Sequence, residues 1–221
     1  MAEASIRTMF PLRYFIETPV PIIEDEVWRK LNWSKYEFGV TNKDGLLLIT
    51  RGARGNRCEL KIPKKGKLVG TDKGAEMGSL IFKPADAKKP AFEVKKGNMR
   101  FIVRLKEDVY FVEATANKGV MYKLDMSGEI FKFTKVVEFE DEPEAYAIFN
   151  DSLLVASYQS FYRINADLSK EVLVKNAFWY GLFPTSIAVL DEYHVYIGIR
   201  SGYAMLNLTT NKLTFYKYTP Y

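Results

Sequence analysis

A chain of 221 residues with 48% apolar residues is long enough to bury a substantial core, which excludes a disordered chain. Its single cysteine, Cys58, excludes an internal disulfide, and its single histidine, His194, excludes a histidine metal cluster. The apolar runs are far shorter than the roughly 20 residues that span a bilayer, and the first residues lack an export signal. We therefore expect a cytoplasmic protein that does not contact membranes.

Residues 1–35 form a segment distinct from the rest of the chain. A strand-like run, MFPLRYFI, is followed by apolar residues at helical spacing, Ile23, Val27 and Leu31, with acids from Glu24 to Glu26 before them. Acids at the start of a helix interact favourably with its dipole. The pattern predicts a short amphipathic helix in a capping or docking segment.

From residue 36 to residue 221, short β-branched and aromatic runs alternate with turns rich in Gly, Asn and Asp. This pattern is typical of antiparallel strands joined by tight turns. The clearest unit of four runs is SIAVL, VYIGIR, YAMLNLT and KLTFYKY near the C-terminus. Four such units follow one another along the chain. The second run of each unit starts at Leu46, Val109, Leu153 and Val195, so successive units are 63, 44 and 42 residues apart. Repeats of about 40 to 50 residues with four strands are typical of propeller blades. The first four-stranded unit is predicted over residues 36–71, and the longer interval after it predicts an insert over residues 72–98.

The motif Val195-Tyr196-Ile197-Gly198 with Arg200 and Gly202, together with Pro184, resembles the repeats of the β-propeller family, in particular small bacterial propellers. The resemblance implies an all-β, propeller-like domain over residues 36–221 with four clear blades. The N-terminal strand, combined with GSLIF and AFEV from the insert, is the candidate for a fifth. The same resemblance implies an immunity protein as a concrete functional candidate.

Charge is unevenly distributed along the chain. Residues 51–100 contain 14 basic and 5 acidic residues, whereas residues 101–221 contain 12 basic and 15 acidic residues. The glycines near Arg51, Arg54 and Arg57 could form an anion-binding nest, and the block as a whole could bind nucleic acid. Lysines at strand edges also prevent edge pairing, and this is the interpretation we favour, since the basic stretch KIPKKGKLVGTDKG contains no aromatic residue.

An acidic cluster follows between the second and third clear blades. Such carboxylates could bind a hard cation, attract a basic partner or simply face solvent. Its members are Glu138, Glu140, Asp141, Glu142 and Glu144.

Aromatic residues are concentrated near the C-terminus. Trp, Tyr and Arg carry much of the energy of protein interfaces, and loops of a rigid scaffold present them well. The expected contact residues are Phe178, Trp179, Tyr180, Phe183, Arg200 and Tyr203.

Signals of catalysis are few. A catalytic His194 would have to use Asp191 or Glu192 beside it, and the chain has no phosphate-binding loop, nucleotide fingerprint, nucleophile elbow or zinc spacing. We therefore expect no catalytic residues, metal or cofactor. The predicted function is a protein-binding module, such as an immunity protein that covers the active site of a basic nuclease toxin domain. The five residues of the acidic cluster and the six expected contact residues together form its predicted contact surface. One alternative is a propeller hydrolase or lyase acting on a sugar or lactone, and another is nucleic-acid binding through residues 51–100, although nucleic acid is not the partner we expect.

Overall fold

A computed structural model of the protein describes residues 9–52, 55–75, 77–115 and 117–220. The strands are β1 Met9–Phe10, β2 Phe15–Thr18, β3 Phe38–Lys43, β4 Leu46–Arg51, β5 Arg57–Ile62, β6 Gly66–Thr71, β7 Ser79–Pro84, β8 Phe92–Lys96, β9 Asn98–Leu105, β10 Asp108–Thr115, β11 Lys118–Asp125, β12 Lys132–Phe139, β13 Pro143–Phe149, β14 Ser152–Ser157, β15 Phe161–Ile164, β16 Lys170–Val174, β17 Ser186–Val189, β18 His194–Ile199, β19 Gly202–Asn207 and β20 Leu213–Tyr218. One α-helix, α1, spans Glu26–Asn32, and a 3-10 turn spans Leu12–Tyr14. Among the residues that the structure describes, no helix has the length and apolar character needed to cross a membrane.

The strands form five antiparallel sheets. Sheet I has the order β1-β4-β3, sheet II β5-β6-β7-β8, sheet III β12-β11-β10-β9, sheet IV β13-β14-β15-β16 and sheet V β17-β18-β19-β20-β2. Sheets II, III and IV are plain four-stranded meanders, because strands that are consecutive in sequence pair with each other. The prediction of an all-β fold built from four-stranded meanders is therefore confirmed.

The sheets are arranged like propeller blades. Their inner strands contact one another in the order β5, β9, β13, β17 and β3, so the sheets follow one another as II, III, IV, V and I. A buried apolar cluster lies between each successive pair. Among the described residues, no such cluster joins sheet I to sheet II. The outward face of sheet II is therefore not packed as the faces between other blades are.

The first repeat differs from its predicted division. Residues 36–71 are not one four-stranded unit: β3 and β4 belong to sheet I, whereas β5 and β6 belong to sheet II. The predicted insert contributes β7 and β8, the third and fourth strands of sheet II. The interval of 63 residues, from β4 to β10, is long because it contains all four strands of sheet II. The N-terminal strand does not join GSLIF and AFEV.

The N-terminal segment binds to two sheets at once. Strand β1 pairs with β4 in sheet I, and β2 pairs with β20 as the fifth strand of sheet V. Helix α1 begins after Asp25, whose side chain accepts a hydrogen bond of 2.6 Å from the Trp28 backbone N–H. Its buried residues are Trp28 and Leu31, and Ile23 packs against the same core cluster. The predicted apolar stripe is therefore right for Ile23 and Leu31 and wrong for Val27, which is 52% exposed while Trp28 is buried.

Candidate functional site

Four connections from sheets III and IV meet at one end of the sheets, which we call the loop face. Two of them, β10–β11 and β14–β15, join the second strand of a sheet to the third. The other two, β12–β13 and β16–β17, lead from one sheet to the next. Connections of this kind place side chains on a rigid scaffold without disturbing its core.

A cavity of about 570 Å³ lies between these four connections, and we call it the acid–aromatic pocket. It brings together three members of the predicted acidic cluster and two of the predicted aromatic residues. Its lining consists of Asn117, Glu140, Asp141, Glu142, Tyr158, Gln159, Tyr180 and Phe183.

Asp141 is the structural carboxylate of this pocket. It is 4% exposed, and its two oxygens accept hydrogen bonds from the Gln159 backbone N–H at 2.8 Å and from the Tyr162 hydroxyl at 2.9 Å. Burial raises the pKa of Tyr162, so its hydroxyl remains a donor at neutral pH. Asp141 thereby fixes the β14–β15 turn against the β12–β13 connection, and its burial removes it from the predicted contact surface.

Glu142 is held in place by a buried arginine. Arg100, whose side chain is 8% exposed, donates to Glu142 at 2.5 Å and to Asp72 at 2.7 Å, and lies 3.7 Å from Glu144. The second Glu142 oxygen accepts from the Asn117 backbone N–H at 3.3 Å. Glu142 also lines a second cavity of about 440 Å³ beside Arg100 and Asp72. One fixed carboxylate thus separates two cavities of the loop face.

The other members of the acidic cluster have different surroundings. Glu140 is 65% exposed and lies 3.8 Å from Lys170 at the edge of the pocket. Glu138 lies outside the pocket in an exposed ion pair of 2.6 Å with Lys135, and the hydrogen bond from that lysine lowers the pKa of Glu138. Glu144 is buried, which removes it from the predicted contact surface.

Aromatic rings form the opposite wall. Tyr158 packs edge to face on Tyr180 with ring centroids 4.9 Å apart, and it lies 5.6 Å from Phe183. Burial raises the pKa of Tyr158, with further contributions from Tyr180 and from the charge of Glu142. Trp28 of α1 stacks on Tyr180 at 6.0 Å, and its indole N–H donates to the Phe178 carbonyl at 3.0 Å. Helix α1 therefore supports the wall from behind.

Three predicted contact residues lie in the core instead. Phe178 is 3%, Trp179 0% and Tyr203 5% exposed. The Trp179 indole N–H donates to the Ser157 carbonyl at 3.0 Å, and Tyr203 stacks on Tyr216. These contacts fill the sheets around them, so the side chains cannot act as exposed anchors.

Arg200 supports the loop face from within. It donates to Glu37 at 2.7 Å and to the Asn32 carbonyl at 2.9 Å, and its guanidinium lies 5.3 Å above the Phe183 ring. This geometry ties α1 to Phe183. The Arg200 side chain is only 22% exposed, so it positions the aromatic wall instead of forming an exposed contact.

The remaining candidates lie away from the pocket. His194 starts β18 and makes a 3.0 Å contact with Asp191, at the end of sheet V opposite the loop face, and this contact lowers the pKa of Asp191. Arg51 lies over the Tyr36 ring and Arg57 pairs with Glu59, while Arg54 is outside the described residues. Across the described ranges, no group of three or more His, Cys, Asp or Glu side chains is placed to hold a metal.

The pocket offers an accessible carboxylate, a fixed carboxylate and two phenol rings packed edge to face around one cavity. Such a combination can hold a ring-shaped ligand and hydrogen-bond to its oxygens. Sequence patterns did not single out Arg100, Asn117, Tyr158 or Gln159. In the sequence, Arg100 is the last cation of the basic block. Its position among the apolar residues of a strand is the feature that could have indicated a buried cation.

No family model and no curated protein matches the chain. Among solved structures it is similar to a streptogramin B lyase, with 14% identity, 80% of this chain and 57% of that chain covered, and a TM-score of 0.48. It is also similar to virginiamycin B lyase from Staphylococcus aureus, with 11% identity, 82% and 74% coverage and a TM-score of 0.38. A third similar structure is apo AztD from Citrobacter koseri, with 14% identity, 83% and 47% coverage and a TM-score of 0.38.

These neighbours correct one prediction. The chain was expected not to be an enzyme, whereas two of the three structures it resembles are named as lyases. The chain spans 57% of the length of the first neighbour, and likenesses this distant assign it no activity or substrate. None of the comparisons supports an immunity function.

Proposed function

We propose that the chain binds a sugar or lactone ring in the acid–aromatic pocket and acts on it as a hydrolase or lyase. The observation that supports this most strongly is the meeting of carboxylates and closely packed aromatic rings around one cavity of about 570 Å³. Pockets of this size accommodate small ligands, with aromatic walls for packing and a few polar groups for orientation.

The two carboxylates that face the pocket suit different tasks. Glu142 has a fixed orientation because Arg100 and the Asn117 backbone N–H hold its two oxygens. Glu140 is mostly exposed and has only a distant ion pair with Lys170. A fixed carboxylate can position a ligand hydroxyl or carbonyl through hydrogen bonds, whereas an accessible one can exchange protons with ligand and solvent. In this proposal Glu142 orients the ring and Glu140 transfers the proton.

The test is turnover of a panel of chromogenic glycosides and lactones by the purified protein. Glu140→Gln and Glu142→Gln remove one pocket charge each, and Glu138→Gln removes the same charge from an exposed side chain outside the pocket. We expect both pocket variants to lose about 10²- to 10⁴-fold in kcat/KM while the control keeps wild-type turnover. Equal turnover by all three variants, or no turnover of any substrate by the wild type, would contradict the proposal.

A further inference from the structure

The outward face of sheet II carries a row of three lysines. Lys61 on β5 lies directly opposite Lys67 on β6, and Lys67 lies directly opposite Lys83 on β7. Neighbouring strands are about 4.8 Å apart, so the row extends about 10 Å across the sheet. Lys61 and Lys83 are exposed, and the Lys67 side chain is 39% exposed. We call these three residues the lysine row.

Among the described residues, no apolar cluster joins this face to another sheet, although Val69 on the same face is itself buried. Residues alternate between the two faces of a strand, and Leu60, Leu68 and Phe82 on the opposite face of sheet II pack towards sheet III. On the outward face, cations outnumber acids by five to two, a net charge of +3. The cations are Arg57, Lys61, Lys67, Lys83 and Lys96, and the acids are Glu59 and Glu93.

The lysine row is not explained by protection of a sheet edge. Lys67 and Lys83 lie on β6 and β7, the two interior strands of sheet II, and not on its edges. Like charges directly opposite each other on adjacent strands destabilise a sheet. Glu59 offsets part of this repulsion, at 3.0 Å from Lys67, but it also pairs with Arg57. The row therefore costs stability that an anionic partner would restore.

We propose that the outward face of sheet II binds the phosphate backbone of a nucleic-acid duplex without base specificity. Duplex DNA carries about one charge per 1.7 Å of its axis, so a row of about 10 Å faces several phosphates at once. The face has no exposed aromatic side chain among its strand residues, which disfavours stacked single strands and leaves no anchor for a protein partner. This surface lies on a different side of sheet II from the packing towards sheet III, and it is independent of the acid–aromatic pocket.

The test is fluorescence anisotropy with a labelled 20-bp DNA duplex between 50 and 200 mM salt. The variant is Lys61→Ser/Lys67→Ser/Lys83→Ser. Its control, Lys132→Ser/Lys175→Ser/Lys212→Ser, removes three exposed lysines outside sheet II and gives the same net charge of +2, three below the native +5. Thermal melting verifies that both variants fold.

We expect the control to bind the duplex like the wild type. Removing three phosphate contacts should lower the slope of log K against log salt by about 2.7. Over this fourfold salt range, the wild type should then lose about 40-fold more affinity than the lysine-row variant. Replacing the three lysines by Arg should preserve binding, because the charge remains.

Four results would overturn the proposal. The first is undetectable duplex binding by the wild type, and the second is an unchanged salt slope in the lysine-row variant. The third is a control variant whose salt slope falls as much as that of the lysine-row variant. The fourth is displacement of the duplex by poly-glutamate at equal charge concentration, which would indicate an acidic protein partner.

Discussion

Replacing Arg100 by Met should destabilise the protein strongly. The Arg100 side chain is 8% exposed, and those of Asp72, Glu142 and Glu144 are 14%, 30% and 5% exposed. Methionine fills a similar length but leaves these carboxylates without their cation. Removing one partner from a buried ion pair costs about 3–5 kcal/mol, because the remaining charge has lost both water and its counterion.

Urea unfolding followed by tryptophan fluorescence measures this loss. With a slope of about 2–3 kcal/mol per M, the unfolding midpoint of Arg100→Met should fall by roughly 1–2 M. The matched control is Arg163→Met, which removes a 3.4 Å ion pair with Glu171 whose side chains are 27% and 50% exposed. Exposed pairs contribute about 0–1 kcal/mol, so the control should change little.

A double variant tests the same reasoning from the opposite direction. Adding Glu144→Gln to Arg100→Met removes one of the buried charges that faced Arg100 and should recover part of the lost stability. If Arg100→Met lost no more stability than Arg163→Met, Arg100 would not hold the loop face together.

Two further predictions concern packing and pH. In Gly198→Ala, the new Cβ would overlap the Phe38 carbonyl oxygen where sheet V meets sheet I. We expect the free energy of unfolding, measured with urea, to fall by about 1–3 kcal/mol. It should change little in the control Gly128→Ala, whose Cβ meets no atom closer than 3.6 Å. An equal effect in both would show that sheets I and V do not pack closely. Burial raises the pKa of Tyr203 above its unfolded value, so its contribution to stability is complete below about pH 10 and is lost as pH rises further. The wild type should then lose up to about 1.4 kcal/mol per pH unit relative to Tyr203→Phe, measured by unfolding at pH 9 to 11. A difference in stability that stays constant over this range would contradict the prediction.

Individual strands were predictable because each follows a local pattern. The run VYFVEAT falls within β10 and VYIGI within β18, and the β3–β4 turn consists of Asp44 and Gly45. The grouping of strands into sheets was harder. Strands β4 and β5 are as close in sequence as two strands of one hairpin, yet they pair in different sheets. The partner that settles this is β1, some 35 residues before β4, and no local pattern indicates it.

The sequence indicated the two residue groups that form the candidate site, but not which of their residues line the pocket. The acidic cluster and the aromatic run both contribute to one pocket, although the sequence did not show that they meet. Burial of Asp141 depends on Tyr162, which lies 21 residues away on another strand. Trp179 and Tyr180 are adjacent and chemically similar, but only the first is fully buried, because the chain turns between β16 and β17. Side-chain direction in such a connection is set by tertiary contacts.

The most direct test of the account is a crystal structure of the protein soaked with the best ligand from the glycoside and lactone panel. We predict that the ring packs against Tyr158 and Tyr180 and that one of its oxygens lies within hydrogen-bond distance of Glu140 or Glu142. Ligand bound elsewhere, with the acid–aromatic pocket empty, would contradict the assignment of this pocket as the functional site.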